Sequence, residues 1–378
     1  MKKLYITLLC IMLSFTAANA QYSRLVQKGD SCMDRYNTFD ALNFYSEASD
    51  IDDNDKLKIK KGNCYFIRND YRRCRDMLLA VPADSLPWKA MRQLFYSYGH
   101  LSVPAEQIKW GTKILEKNPK DGEVTADLAE LYNRNEVQRY ADAAVLTLKY
   151  LLEDSSDIAV MRQLANAEFF LKNFSQAKDT YKQLIAKGDS TFDNYFSLGM
   201  CCQQLHDTIG AYSALKKSAY LSEYKVPGCL ARLGSICIDL ASEKNKYGAD
   251  DIYRYTHEGV EFLENALVLY ENDPTIMYVA NRSLGDGYYM EKKYLNAIKI
   301  WKTALEYRKN SVAVYYNIAQ AYQVLGDKIH AESYYKAFLS WAYTLQDKSL
   351  SLKQMISAAE NIVGKNSVKV GDIISPKD

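Results

Sequence analysis

The feature that most constrains this chain is a spacing of 34 residues. Ala177 and Ala211 stand 34 apart, and so do Ala297 and Ala331. Twelve residues before each stands another small residue: Ala165, Gly199, Gly285 and Ala319. Four residues after each comes a large one: Tyr181, Leu215, Trp301 and Tyr335. Near the N-terminus Gly29, Ala41, Tyr45 and Ala48 repeat the pattern, and Gly62, Cys74, Leu78 and Val81 follow 33 residues later. A period of this length marks a unit of two helices and a turn, which cannot bury its own apolar face and must stack on copies of itself. Small residues at matched positions predict close approach of the two helices, with large residues filling the space between successive hairpins.

Composition agrees with a packed helical chain. The 378 residues are 48% hydrophobic and 25% charged, enough for a substantial core and unlike a disordered segment. Seven Pro and 17 Gly argue against a turn-rich all-β architecture. The 31 Tyr suit wide gaps between helices, where the ring fills space and the hydroxyl reaches a partner.

The first 20 residues read as a leader. MKK is a basic start, LYITLLCIMLSF an apolar run and TAANA a small-residue cleavage pattern, so the expected mature N-terminus is Gln21. A lipoprotein signal using Cys10 is the rival reading; it is opposed by Leu9 before the cysteine and by an apolar run that continues past it. The leader is short for a membrane span, and no later segment is apolar for long enough. The expectation is a periplasmic or secreted bacterial protein. Loss of the leader removes Lys2 and Lys3 and no acid, leaving 46 basic and 46 acidic residues. That balance gives no general nucleic-acid surface, and KLKIKKG at 56–62 reads as a solvated helix face.

The hairpin pattern is similar to that of the tetratricopeptide repeat family. LGDGYYMEKKYLNAIKIWKTALE at 284–306 carries it most fully, followed by NIAQAYQVLGDKIHAESYYKAF at 317–338 and FSLGMCCQQLHDTIGAYSAL at 196–215. The resemblance implies an all-α fold, a right-handed superhelical solenoid of about nine hairpins. Its expected parts are N-terminal repeats over 21–157 and two regular repeats over 158–225. A hairpin with an inserted loop over 226–274 and two regular repeats over 275–345 follow. A capping helix over 346–364 and an extended tail over 365–378 complete it. The third and fourth units, about 88–121 and 122–157, are degenerate. In the seventh, SEKNKYGADDIYRYTHEG at 242–259 is the insertion, since Ala211 and Ala297 stand 86 apart.

Signatures of catalysis are missing from the sequence. His100, His206, His257 and His330 are scattered, no Cys-x-x-Cys occurs, and neither a phosphate loop nor a nucleophile elbow is present. No cofactor, metal or enzymatic activity is expected. Seven cysteines follow the leader; they read mainly as small buried hydrophobes, with Cys202 and Cys237 the best candidates for a disulfide.

In the family the first helix of each hairpin lines a concave groove that holds a protein or peptide. Carried over residue by residue, the resemblance assigns that role to Arg162, Asn166, Phe169 and Phe170; to Phe196, Met200, Gln203 and Gln204; to Arg282, Asp286, Tyr289 and Met290; and to Tyr316, Gln320 and Gln323. Each could instead pack into the stack as core. Arg162 and Asn166 resemble half of a carboxylate clamp, but Ser197 stands where the next unit would supply Asn and no matching Lys is evident. The function expected is a scaffold for a protein partner, with assembly of an envelope complex as its setting. The alternative is a carbohydrate- or small-ligand-binding solenoid that uses groove tyrosines.

Overall fold

In this computed structural model the described residues are 2–243, 246–269, 273–365, 367–369 and 371–376, with side chains from residue 16 onward. Among them are nineteen α-helices, one short 3-10 turn and no strand. The chain divides into two compact units, residues 1–173 and 174–378.

The first unit contains α1 (Lys2–Met33), α2 (Thr38–Ser49), α3 (Asp55–Ile67), α4 (Tyr71–Leu79), α5 (Trp88–His100), α6 (Pro104–Lys117), α7 (Gly122–Asn133), α8 (Tyr140–Leu151) and α9 (Ile158–Phe170). The pairs α1/α2, α3/α4, α5/α6 and α7/α8 pack as hairpins, and α9 packs on α7 and α8. The leader continues into the first repeat as one helix, so α1 runs unbroken through Ala20 and Gln21. Cys10 lies outside the residues whose side chains are described.

The second unit contains α10 (Phe174–Ala186), α11 (Phe192–Gln204), α12 (Thr208–Leu221), α13 (Pro227–Ser242), α14 (Ala249–Leu269), α15 (Pro274–Met290), α16 (Tyr294–Tyr307), α17 (Val312–Val324), α18 (Lys328–Ala342) and α19 (Leu350–Val363). Here α11/α12, α13/α14, α15/α16 and α17/α18 form hairpins, each packed on the next, and α19 closes the stack against α18. Ser349 caps α19, accepting from the Leu352 N–H at 3.1 Å, and Gly364 ends the helix at φ 91°. The tail after it is not loose: Val368 is buried, and the Ile374 N–H donates to Ser340 Oγ at 3.2 Å.

The turn within a hairpin has one recurrent form. The residue before the second helix's N-cap takes a left-handed φ: 59° at Asn69, 57° at His206, 63° at Lys292 and 79° at Gly326. The following N–H then reaches five residues back, as from Asp207 to the Cys202 carbonyl at 2.9 Å and from Asp327 to the Tyr322 carbonyl at 2.9 Å. Carbonyls left over at the end of the first helix are thereby satisfied. Asn37, Asp70, Asp207 and Asp327 next cap the second helix with their side chains.

Packing within the hairpin corrects one expectation. The small residue of the first helix does not chiefly face the small residue twelve positions on; it makes room for the large residue sixteen positions on. A Cβ on Gly285 would lie 2.4 Å from Trp301 Nε1, one on Gly62 2.7 Å from Leu78, and one on Gly199 2.7 Å from Leu215. Trp301 is only 1% exposed in this dent. The third unit keeps the contact and exchanges the partners: Phe95 stands in the glycine position, and Gly111, sixteen residues later, yields to it at 2.9 Å. Complementary volume is conserved there while the identities reverse, which is why the sequence looks degenerate.

The insertion corrects another expectation. It is not a loop. Helix α13 runs to Ser242 and α14 begins at Ala249, so most of the added residues lengthen the two helices. The axes approach through paired glycines: a Cβ on Gly234 would meet the Gly259 carbonyl at 2.9 Å, and one on Gly259 would meet the Gly234 carbonyl at 3.1 Å. Leu263 fills the remaining space at Gly234.

The cysteines that follow the leader are all buried and free, Cys202 and Cys237 included. The candidate disulfide is therefore not formed. Burial raises the thiols of Cys64, Cys74 and Cys229 to about 11, which keeps them protonated.

Candidate functional site on the first-helix row

Successive first helices lie side by side within each unit and share one face. Positions on that face are counted here from the small residue of each hairpin. The residue one place after it and the residue two places before its counterpart in the next hairpin meet as a polar rung. In the first unit Lys60 Nζ donates to Asp30 Oδ1 at 2.6 Å, and Gln93 Nε2 donates to Asn63 Oδ1 at 2.6 Å. In the second unit Ser235 Oγ donates to Ser283 Oγ at 2.9 Å, and Asn317 Nδ2 donates to Asp286 Oδ1 at 3.0 Å. The large residue of the second helix reaches the same rung from below: Tyr45 Oη donates to Asp30 at 2.6 Å, and Trp301 Nε1 to Asp286 at 3.1 Å. These bonds tie one hairpin to the next where a purely apolar contact would leave register open.

The rungs change the reading of the expected groove residues. Asp286 is committed to the stack, accepting from Trp301 and Asn317 with Arg282 close by. Burial pushes its carboxyl up to about 6, against the pull of Arg282 and of the two donors. Tyr316 is half-buried and packs edge-on against Tyr335 and Phe338, at 5.6 and 5.0 Å. Phe196 stacks on its own helix neighbour Phe192 at 5.6 Å. Tyr289 lies against Trp301 and Tyr294, at 5.8 and 5.3 Å. Gln203 accepts from Arg232 at 3.5 Å, and Gln323 accepts from Tyr335 Oη at 2.7 Å. Arg282, Gln204 and Gln323 remain exposed, while Met200, Met290 and Gln320 are half-buried.

In α9, Arg162, Asn166 and Phe169 are half-buried, and Phe170 is exposed but stacked on Tyr140 at 4.9 Å. Gln163, not singled out from the sequence, takes the structural role there: Asn133 Nδ2 donates to its carbonyl at 3.0 Å. The residues of α9 and those of α11 belong to different units.

Sequence reasoning passed over two parts of this face. Arg232, Ser235 and Asp239 of α13 were omitted because the insertion broke the numbering, although the small residue Gly234 was visible. The other part lies in the first unit, where a cleft of about 510 Å³ opens along α1, α3 and α5. Asp30, Lys60, Asn63 and Gln93 form its rungs, and Asp34 and Lys89 add further charge. The offsets that place these residues were legible from Gly29 and Gly62.

These hairpins define an all-α helical-repeat protein, with a small residue yielding to a large one sixteen positions on, a left-handed turn before the second helix, and polar rungs between first helices. The fold is an all-α array of such hairpins. Comparison with protein-family models and with curated proteins finds no match. Among solved structures the chain is similar to YrrB, described as a TPR protein with an unusual peptide-binding site, at 19% identity and a TM-score of 0.44, covering 54% of this chain and 95% of that one. It is also similar to the APC/C hetero-tetramer Cut9-Hcn1, at 16% identity and a TM-score of 0.43, covering 89% of this chain and 76% of the other. A third is MamA MSR-1 C2, at 19% identity and a TM-score of 0.40, covering 45% and 97%.

Proposed function

We propose that this chain is an exported, non-enzymatic scaffold that binds a polypeptide partner along its first-helix row, in the assembly of an envelope complex. The observation that carries the reading is the polar cleft across α1, α3 and α5. Its floor is made of rungs already satisfied within the fold, and its rim offers Asp34 and Lys89 beyond them. A partner segment laid there would meet the exposed charges of Asp34 and Lys89 without breaking the rungs beneath. Export is proposed from the leader pattern, with Gln21 as the mature N-terminus. None of the helices searched among the described residues is long and apolar enough to cross a membrane, so association with an envelope complex would be peripheral.

Photo-crosslinking from Lys89 in cells, followed by mass spectrometry, tests the scaffold. A discrete polypeptide should be trapped, and the same protein should co-purify from the envelope fraction. If Lys89 traps none while the purified protein retains an oligosaccharide on a glycan array, the carbohydrate alternative replaces this reading. N-terminal sequencing of the native protein tests export; an intact Met1 or a lipidated Cys10 would overturn it.

A further inference from the structure

Two departures from the repeat meet at one place. The first is the insertion. Its added turns lengthen α13 and α14, and the start of α14 contributes Ile252, Tyr253 and His257 to the wall of a cleft. The second is the turn between α15 and α16. In other regular hairpins this N-cap is Asn37, Asp70, Asp207 or Asp327; here it is Lys293, with no side-chain cap. A cation at a helix N-terminus also opposes the helix dipole. The uncapped Val103 and Arg139 belong to the two degenerate hairpins, whereas this hairpin follows the repeat closely in every other respect. Lys293 pairs with Glu291 and lies over the Tyr288 ring, but neither contact replaces the missing cap, and a local rule broken in an otherwise regular unit points to function.

Between the two lies a cleft of about 890 Å³. Its second wall is Tyr289, Met290 and Tyr294. Tyr253 is 71% exposed, with its ring parallel to that of His257. The lip carries Glu291, Lys292 and Lys293. Lys293 holds Glu291 at 2.7 Å, which leaves the exposed Lys292 as the uncompensated charge of the lip, with no carboxylate within 4 Å among the described residues. An aromatic and thioether surface beside an ammonium group suits a bulky apolar side chain next to a carboxylate.

We infer that this cleft is a second partner site, which takes an acidic segment of a polypeptide with one large apolar side chain as anchor. It rests on the reading of the chain as a polypeptide scaffold but uses a different surface.

The test is fluorescence polarisation on the purified protein. The probes are labelled pentapeptides with a central Trp or Leu flanked by Asp, the same peptides flanked by Lys, and a central Ala flanked by Asp. The Asp-flanked Trp and Leu peptides should bind, with the Lys-flanked and Ala peptides at least about tenfold weaker. Lys292→Glu and Lys293→Asp should weaken the binding about tenfold, and Tyr253→Ala about fivefold. Exposure of Tyr253 and both lysines keeps the variants folded, which circular dichroism verifies; Lys293→Asp should melt higher than wild type. Equal binding of Asp- and Lys-flanked peptides, or no binding by any probe, overturns the inference, as does chitopentaose binding lost in Tyr253→Ala. If Arg282→Glu abolishes peptide binding while the cleft variants retain it, the cleft falls and the first-helix scaffold stands.

Discussion

Replacing Lys293 by Asp should make the protein more stable, and the size of the gain follows from its own repeats. The backbone at Lys293 has φ −85° and ψ 61°. Asp70, Asp207 and Asp327 occupy the same place at −86° and 71°, −86° and 77°, and −82° and 82°. Aspartate therefore fits without strain. Asp207 accepts from the Gly210 N–H at 2.9 Å and Asp327 from the His330 N–H at 3.1 Å, so an aspartate at 293 should accept from the corresponding N–H three residues on. A new cap contributes about 1 kcal/mol, and reversal of charge at the helix N-terminus a further ~0.3–1 kcal/mol. Against this stands the ion pair with Glu291. Lys293 is 54% exposed in that pair, so its loss costs about 0–1 kcal/mol. Repulsion between the new aspartate and Glu291 offsets part of the gain. The expected net is stabilisation by about 1 kcal/mol. Hydrogen exchange in the first turns of α16 should slow accordingly, and thermal melting should shift upward. Lys293→Ala is the control, since it loses the ion pair and gains no cap. If Lys293→Asp is no more stable than Lys293→Ala, the N-cap reasoning is wrong, and with it the case that this turn has given up stability.

Further outcomes are expected for packing, for ionisation and for the thiols. Gly285→Ala should destabilise by about 1–3 kcal/mol despite its better helix propensity, because the methyl group would sit inside the Trp301 ring contact; Ala297→Leu should cost a similar ~1–3 kcal/mol, and exchange protection should fall mainly in α15 to α18. Asp286, raised to about 6 from an ordinary value of 3.8, binds its proton more tightly folded than unfolded, so stability should fall as pH rises from about 4 to 6 and stay lower above that. Asp286→Asn keeps an acceptor for Trp301 and Asn317 and should stabilise by about 1–2 kcal/mol at pH 8, with the difference gone below about pH 4, read from urea midpoints. The buried thiols should react with Ellman's reagent only on unfolding, seven per chain beginning at Gln21; rapid labelling of native protein would contradict their packing.

The repeat was legible because its cause is local. Helical period, the small residue at Gly285 or Ala319, and the large one at Trp301 or Tyr335 recur at fixed distances along the chain, and any stack of such hairpins must obey them. Burial of the cysteines followed from the same periodicity. What the sequence hid depends on partners far apart in the chain. The exchange of Phe95 and Gly111 conserves a volume across two helices, and no single position reveals it. Asp286 reads as a free groove acid until Asn317, from the next hairpin, is found donating to it. The inserted segment reads as a loop, rich as it is in polar residues, until Gly234 and Gly259 are seen to bring α13 and α14 together along added turns. Local spacing determined that this chain would be built of hairpins. Contacts between residues about 30 positions apart decided which polar side chains hold the stack together and which are left to meet a partner, because a hydrogen bond consumed inside the fold is no longer on offer outside it.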